Sequence, residues 1–197
     1  MVNKINENLD NPIDTLIYNI IDTQLDFYYK LGFTPNMITT ISLVAGLFGV
    51  YQVYNNSYYT AGILWMIAYY YDCMDGKLAR KYNMTSQFGD YYDHISDIIK
   101  FSLLYIILFI KLQNKTISSE KKYTFISLFL ILSLLCFIHV GCQEQITHIK
   151  DSNSISFLDY IVSKKYSCEQ QMKYLRYVGL GTYNMIVTLI IIFWDKI

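Results

Sequence analysis

Four aspartates interrupt a chain that is otherwise suited to lipid, and they constrain its fold more than any other feature. They all lie between Tyr71 and Lys100. Their positions are Asp72, Asp75, Asp93 and Asp97. An ionised carboxylate in hydrocarbon costs at least a few kcal/mol, and such residues usually face a bundle interior or a water-filled cavity. Four of them so close together therefore require a shared cation and a polar site inside the fold.

The spacing of these acids predicts two helices that bring them to one place. On a helix over residues 61–82, Asp72 and Asp75 are i,i+3 neighbours on one face. On a second helix over residues 86–112, the other two aspartates are i,i+4 neighbours. A short connection around residues 83–85 would make the helices antiparallel neighbours. Both acidic stripes would then converge at one end of a bundle.

The ligand chemistry of this set favours a hard cation. Carboxylates predominate, and the segment has no cluster of histidines and cysteines. Oxygen ligands of this kind favour Mg²⁺, Mn²⁺ or Ca²⁺ over zinc. Four carboxylates on two helices can hold two such ions, which suits a substrate that contains pyrophosphate. The expected cofactor is therefore Mg²⁺ or Mn²⁺, with two ions in the site.

The residues around the aspartates form a longer pattern with fixed spacing. It reads Asp72-x2-Asp75-Gly76-x2-Ala79-Arg80-x8-Gly89-x3-Asp93-x3-Asp97. This pattern resembles the signature of class I of the CDP-alcohol phosphotransferase (phosphatidyltransferase) family at all eight fixed positions and every gap. Eight specified residues are a far more specific signal than a short glycine motif. The Thr34-Pro35-Asn36 start of the first apolar helix extends the resemblance to about residues 34–112.

The resemblance implies a role for each residue of the pattern. The implied metal ligands are Asp72, Asp75, Asp93 and Asp97. The implied substrate-binding residues are Asp72, Gly76, Ala79, Arg80 and Gly89. The small residues would let the nucleotide approach the helix backbone, while Arg80 would pair with phosphate or organise the carboxylates. Asp97 would also be the catalytic general base.

The same resemblance implies a reaction and its partners. A CDP-alcohol would transfer its substituted phosphate to a lipid or small-alcohol acceptor by in-line displacement and release CMP, in a phospholipid synthesis reaction. Membrane lipids would surround the enzyme, and family members are commonly homodimers. Nucleic acid is excluded as a partner, because the chain has zero formal net charge and lacks a basic face. The alternative function is a non-catalytic membrane protein that binds or conducts ions through its acidic cluster.

The donor and acceptor pair stays open at this level. Asp93-His94 resembles the choline and ethanolamine phosphotransferases, but Ile98 and Lys81 replace a serine and an arginine of that group. The basic residue that phosphatidylinositol-type enzymes commonly carry after the last aspartate is also replaced by Ile98. The cations left for a phosphorylated acceptor are Arg176, Lys173 and Lys100. We therefore favour a non-phosphorylated alcohol.

Composition predicts an all-α, polytopic transmembrane helix bundle. The chain is 53% hydrophobic and 16% charged, which is too apolar for a soluble domain of 197 residues. Five apolar runs are near the twenty residues that cross a bilayer. They cover roughly residues 37–54, 58 to the acidic motif, the motif to 112, 123–142 and 172–194. Part of residues 155–162 could add a short or re-entrant helix, giving five to six spans.

The N-terminal segment, residues 1–33, is expected to be an amphipathic juxtamembrane unit before a transmembrane domain over residues 34–197. Asn11-Pro12 followed by Asp14 has the form of a helix N-terminus, and apolar residues then repeat at helical spacing. The helix could lie in the membrane interface or pack on protein as an ordinary surface helix. The expected protein is a multi-pass membrane protein, and the resemblance implies an active site facing the cytosol.

Overall fold

The computed structural model describes residues 8–147 and 168–197, and in these ranges it contains helices and no strand. The α-helices are α1 (Pro12–Asp22), α2 (Leu25–Lys30), α3 (Pro35–Tyr54), α4 (Tyr58–Lys81), α5 (Gln87–Asn114), α6 (Ser119–Thr147), α7 (Cys168–Leu175) and α8 (Leu180–Ile192). Short 3₁₀ turns follow α7 at Arg176–Val178 and α8 at Trp194–Lys196. The predicted short helix over residues 155–162 lies outside the described residues.

Side-chain caps define where helices α1 and α3 begin. Asn11 accepts hydrogen bonds from the backbone of Ile13 at 2.9 Å and of Asp14 at 3.4 Å, ahead of the proline that opens α1. Thr34 accepts from the backbone of Met37 at 3.3 Å and caps α3 in the same way. These side chains satisfy amide groups that have no partner within the helix. Both caps were predicted from the sequence and are confirmed.

Helix α3 packs against both α4 and α5, while α4 and α5 have little direct contact with each other. The two acidic helices therefore meet through their side chains, as in the ion pair of Lys100 with Asp72, while each has its closer backbone approach to α3. Gly49 helps α3 to approach α4, since a Cβ there would stand only 3.4 Å from the backbone oxygen of Ala61. The longer side chains of α4 and α5 meet across the remaining gap, as in the edge-to-face contact of Trp65 with Phe101.

The largest apolar core lies away from the acidic end and joins α3, α4, α5, α6 and α8. Its centre is aromatic: the hydroxyls of Tyr105 and Tyr183 are 2.5 Å apart, and Ser133 lies 3.0 Å from the Tyr183 hydroxyl. Trp65 donates a hydrogen bond to the Asn184 side chain at 3.1 Å. Each buried polar atom in this group thus has a partner, as burial in an apolar core demands.

Three helical stretches of the described chain are long and apolar enough to cross a membrane: Pro35–Tyr54, Ser119–Gln143 and Cys168–Ile192. Helices α4 and α5, with 24 and 28 residues, also have the length to span. They are less suited by composition. Helix α4 holds motif aspartates among many tyrosines, and α5 holds five charged residues: Asp90, Asp93, Asp97, Lys100 and Lys111. The all-α membrane bundle is confirmed, and the total of five to six spans stays a prediction.

Helix α1 packs on α4 and α8 through one face and exposes apolar residues on another. Its Asp14 is 4% exposed and accepts hydrogen bonds from the Tyr69 hydroxyl and from the backbone of Gly181. Leu16 and Ile20 on α1 are 65% and 53% exposed. The helix is therefore packed on protein through one face and apolar on its free side. That the free face lies in the membrane interface stays a prediction.

Candidate metal centre

Three aspartates from two helices converge at the acidic end of the bundle. One carboxylate oxygen from each of Asp72, Asp93 and Asp97 lies within 4.8 Å of the others, and all three side chains are half-buried. We call these three residues the carboxylate cluster. The convergence follows from the predicted helical spacing, since Asp72 extends from α4 and the i,i+4 pair extends from the first turns of α5.

Asp75, the fourth predicted ligand, lies beside this group and is not one of its members. It is 5% exposed and accepts a hydrogen bond of 2.5 Å from the hydroxyl of Thr39 on α3. Its negative charge interacts with those of Asp72 and Asp97. The structure thus places Asp75 near the site, with one of its two oxygens already held by α3.

Lys100 inserts its ammonium between members of the carboxylate cluster. The Nζ atom is 2.8 Å from Asp72, 2.8 Å from Asp97 and 2.8 Å from the hydroxyl of Ser42. Ser42 in turn donates to the backbone oxygen of Ala68 at 2.9 Å, which connects α3 to α4. One lysine therefore pairs with two members of a cluster of three carboxyl groups, so the acidic groups outnumber the cation.

The cluster has the donors that a hard divalent cation requires. In the part of the chain that the structure describes, Asp93 has one buried carboxylate oxygen, Oδ1, without a hydrogen-bond partner. A buried oxygen of this kind is costly to desolvate unless a cation or a donor satisfies it. Carboxylate oxygens from two helices at this separation match the preference of Mg²⁺ and Mn²⁺. The residues present fit such an ion.

The other motif residues line the same end of the bundle. The guanidinium of Arg80 lies along Gly76, and a Cβ on Gly76 would stand 3.1 Å from it. Gly89 approaches the side chain of Asn36 on α3, since a Cβ there would be 3.1 Å from the Asn36 oxygen. The half-buried Ala79 precedes Arg80 on α4. Both glycines therefore leave room for a neighbouring side chain, Arg80 at Gly76 and Asn36 at Gly89. Their contact with a nucleotide stays a prediction.

Sequence reasoning missed the contribution of α3 to this site. Thr39 and Ser42 carry no charge and belong to no acidic pattern, so only their packing reveals their role. Lys100 was considered only as a cation for a phosphorylated acceptor. Its spacing was a usable signal, because a residue three positions after Asp97 lies on the same face of α5.

Asp90 and His94 form a local contact along α5, with the His94 ring 3.4 Å from the Asp90 carboxylate.

Comparison with known proteins finds curated relatives that match part of the chain. The chain is 29% identical over 97 residues to an archaetidylinositol phosphate synthase of Pyrococcus horikoshii, a match that covers 49% of this chain and 47% of that protein. It is 32% identical over 71 residues to a CDP-diacylglycerol–serine O-phosphatidyltransferase of Helicobacter pylori, covering 35% of this chain and 29% of that protein. The chain thus spans less than half the length of these curated relatives. No solved structure matches the chain.

A family model gives the broader coverage that these pairwise matches lack. The model for CDP-alcohol phosphatidyltransferases matches residues 33–194, which include all of α3 to α8 and every residue of the carboxylate cluster. The match agrees with the eight-position pattern and with the convergence of its aspartates. The chain belongs to the CDP-alcohol phosphatidyltransferase family.

Proposed function

We propose that this protein is a phospholipid synthase that transfers a substituted phosphate from a CDP-alcohol to an alcohol acceptor and releases CMP. The observation that carries the proposal is the convergence of Asp72, Asp93 and Asp97 at one end of a membrane bundle. Such a group is costly next to lipid unless it binds cations or a charged substrate. A pyrophosphate held there through divalent ions accounts for its presence.

In the proposed reaction the acceptor hydroxyl oxygen forms a bond to the donor phosphorus that carries the alcohol substituent. The bond from that phosphorus to the bridging oxygen breaks, and CMP leaves with the bond electrons. Asp97 takes the proton of the attacking hydroxyl, as a general base within the site. Arg80, as a fixed guanidinium fork beside Gly76, pairs with a donor phosphate.

The carboxylate cluster would hold Mg²⁺ or Mn²⁺, with Asp75 as a further ligand through the oxygen that Thr39 does not hold. When bound, the metal supplies charge neutralisation for the pyrophosphate and for the leaving CMP. Because α3 anchors Asp75 through Thr39 and Lys100 through Ser42, the chain presents its carboxylates in fixed positions. Fixed groups need little reorganisation as charge develops during the reaction.

The relatives suggest which donor and acceptors to test first. One is named for CDP-diacylglycerol and serine, and the other for an inositol phosphate product. Lys100 is engaged by two aspartates, and Arg176 donates to the backbone oxygen of Asn8. Two of the three cations considered for a phosphorylated acceptor are thus engaged, and Lys173 alone remains as an exposed one. We therefore favour CDP-diacylglycerol with a non-phosphorylated polar alcohol such as serine or inositol. CDP-choline and CDP-ethanolamine with diacylglycerol form the second donor group.

The proposal is tested with purified protein in lipid, incubated with each donor and acceptor while CMP is measured. CMP should appear only with Mg²⁺ or Mn²⁺ and only with a competent pair. Asp93→Asn should abolish release, while Asp90→Asn, one turn away on α5 and outside the cluster, is the matched control. If no pair yields CMP and the protein instead moves ions across vesicles without nucleotide, the non-catalytic alternative replaces the proposal.

The topology and assembly are proposals of their own. We place the motif end of the bundle on the cytosolic side, because CDP-activated substrates are made there in the family. Charge does not support this orientation, since Lys111, Lys115, Lys121 and Lys122 then lie on the far side, against the excess of cations in cytoplasmic segments. A cysteine in place of Thr85, in a cysteine-free variant, should react with an impermeant thiol reagent only from that side. A homodimer is a separate proposal, which the single chain that the structure describes does not support. The molecular mass of the purified protein in detergent tests it.

A further inference from the structure

Lys100 is packed into a slot in α3, so its place in the carboxylate cluster is built by the fold. A Cβ on Gly46 would stand 2.7 Å from Cδ and 3.0 Å from Cγ of Lys100. The glycine therefore makes room for the lysine stem, one turn along α3 from Ser42, which accepts from its ammonium. Lys100 as a whole is only 4% exposed. A long side chain buried in this way cannot leave its position freely.

The ammonium of Lys100 lies where a cation bound by both Asp72 and Asp97 would lie. Its two contacts of 2.8 Å engage one oxygen of each carboxylate. Lys100 donates a hydrogen bond to Asp72 and meets Oδ1 of Asp97 as an ion pair only. Within residues 8–147 and 168–197, the buried Oδ1 atoms of Asp93 and Asp97 have no hydrogen-bond partner, and Asp93 has no ion pair with Lys100 either. The cluster thus has a side that Lys100 neutralises and a side that it leaves open.

We propose that Lys100 is a built-in counter-cation that competes with divalent metal for Asp72 and Asp97 and holds these two carboxylates in place before metal binds. It is a positioning residue, since it acts through the carboxylates. The inference rests on the metal-binding part of the proposed function. A charge that is already present among the ligands weakens the binding of every further cation and keeps the metal-free site folded.

The test compares Lys100→Met with Lys111→Met, which removes the same charge from the same helix. Lys111 lies eleven residues further along α5, roughly 16 Å away by the rise of a helix, and it contacts Asn56. Mn²⁺ binding to purified protein in detergent is followed by electron paramagnetic resonance, and the thermal midpoint is measured in a chelator and in Mn²⁺. Neither measurement needs a substrate or turnover.

We expect Lys100→Met to bind Mn²⁺ about tenfold more tightly or better, because a repulsive charge within a few Å of the ion is removed. Its thermal midpoint should fall in the chelator and recover in Mn²⁺, since two carboxylates have lost their cation. Lys111→Met should match the unmodified protein in Mn²⁺ affinity and show no Mn²⁺-dependent recovery. Equal Mn²⁺ affinity in both variants would overturn the proposal.

Gly46→Ala provides a second test in case Lys100→Met does not fold without metal. The added methyl group collides with the stem of Lys100 and moves the ammonium while keeping the charge in the chain. Mn²⁺ affinity should rise by a smaller factor than in Lys100→Met, and unchanged affinity in this variant contradicts the proposal. If the variants change Mn²⁺ affinity as expected but the unmodified protein releases no CMP, the role of Lys100 in metal binding stands and the proposed enzymatic function fails.

Discussion

Two regions of this protein each bury a lysine beside aspartate, and they differ in how many carboxylates lie near the lysine. Where α1 docks on α4, Lys77 is 2% exposed and its ammonium pairs with Asp22 at 2.7 Å. It also donates to the backbone oxygen of Tyr18 at 3.3 Å and lies over the Tyr18 ring. At the acidic end, Lys100 is also buried, but it pairs with two carboxylates, Asp72 and Asp97, and a third, Asp93, lies beside them.

The difference shows which region is built for stability and which for an external cation. A matched pair with additional hydrogen bonds can remain buried without a ligand. An excess of carboxylates cannot, because like charges in a poorly hydrated place repel each other strongly. Lys77 and Asp22 are therefore matched in charge within the chain. In the carboxylate cluster the carboxyl groups outnumber the one lysine, which leaves ligands for a divalent ion.

The largest expected effect is a loss of enzymatic activity, which should occur in variants of the carboxylate cluster and not in variants of the docking site of α1. Asp97→Asn should lower the rate of CMP release by roughly 10² to 10⁴, the usual contribution of a general base. Asp22→Asn, which removes the carboxylate partner of Lys77, should leave the turnover of folded protein within a few-fold. Steady-state CMP release per folded protein measures both. Comparable losses in the two variants would mean that Asp97 acts through structure and has no catalytic role.

The sequence was most informative where helical spacing alone determines position. Residues 72, 93 and 97 could be brought together because α4 and α5 are regular helices joined by a short turn, and their convergence is seen. The close packing of α3 on both α4 and α5 could not be predicted, since it depends on contacts between residues far apart in sequence that helical spacing does not specify. For the same reason Thr39, Ser42 and the neutralising role of Lys100 were missed.

A second prediction concerns pH and the docking site of α1. Burial raises the pKa of Asp14 from 3.8 to about 7, although its hydrogen bonds from Tyr69 and Gly181 act in the opposite direction. Between these values the folded protein holds a proton that the unfolded chain has lost, so stability falls as pH rises. The loss is on the order of 4 kcal/mol and is complete above pH 7.

Asp14→Asn removes this titration while keeping an acceptor for the Tyr69 hydroxyl. The free energy of unfolding of the variant should therefore change less between pH 4.5 and 7.5 than that of the unmodified protein. Denaturant unfolding in detergent at the two pH values measures this difference. Because the carboxylate cluster is present in both proteins, its own titration cancels in the comparison. An unchanged pH dependence in the variant would refute the assignment to Asp14.

A third prediction distinguishes the two buried lysines by their response to metal. Lys77→Met should lower the free energy of unfolding by about 1–3 kcal/mol, less than for a fully buried pair because Asp22 is 28% exposed. Mn²⁺ should not restore the loss, whereas it should restore that of Lys100→Met. Thermal unfolding with and without Mn²⁺ measures both, and recovery of Lys77→Met by Mn²⁺ would remove the distinction.

The smallest effect is expected at a third ion pair, which lies beside the motif and faces water. Lys81 follows Arg80 directly and contacts Asp26 on α2 at 2.5 Å, yet the two side chains are 35% and 64% exposed. Lys81 and Tyr82 donate hydrogen bonds that lower the pKa of Asp26, but solvent and salt screen an exposed pair. Asp26→Asn should therefore change neither CMP release nor the thermal midpoint measurably at physiological salt. A clear loss of activity in this variant would show that closeness to the motif in sequence matters more than burial, which is the opposite of what the two buried lysines indicate.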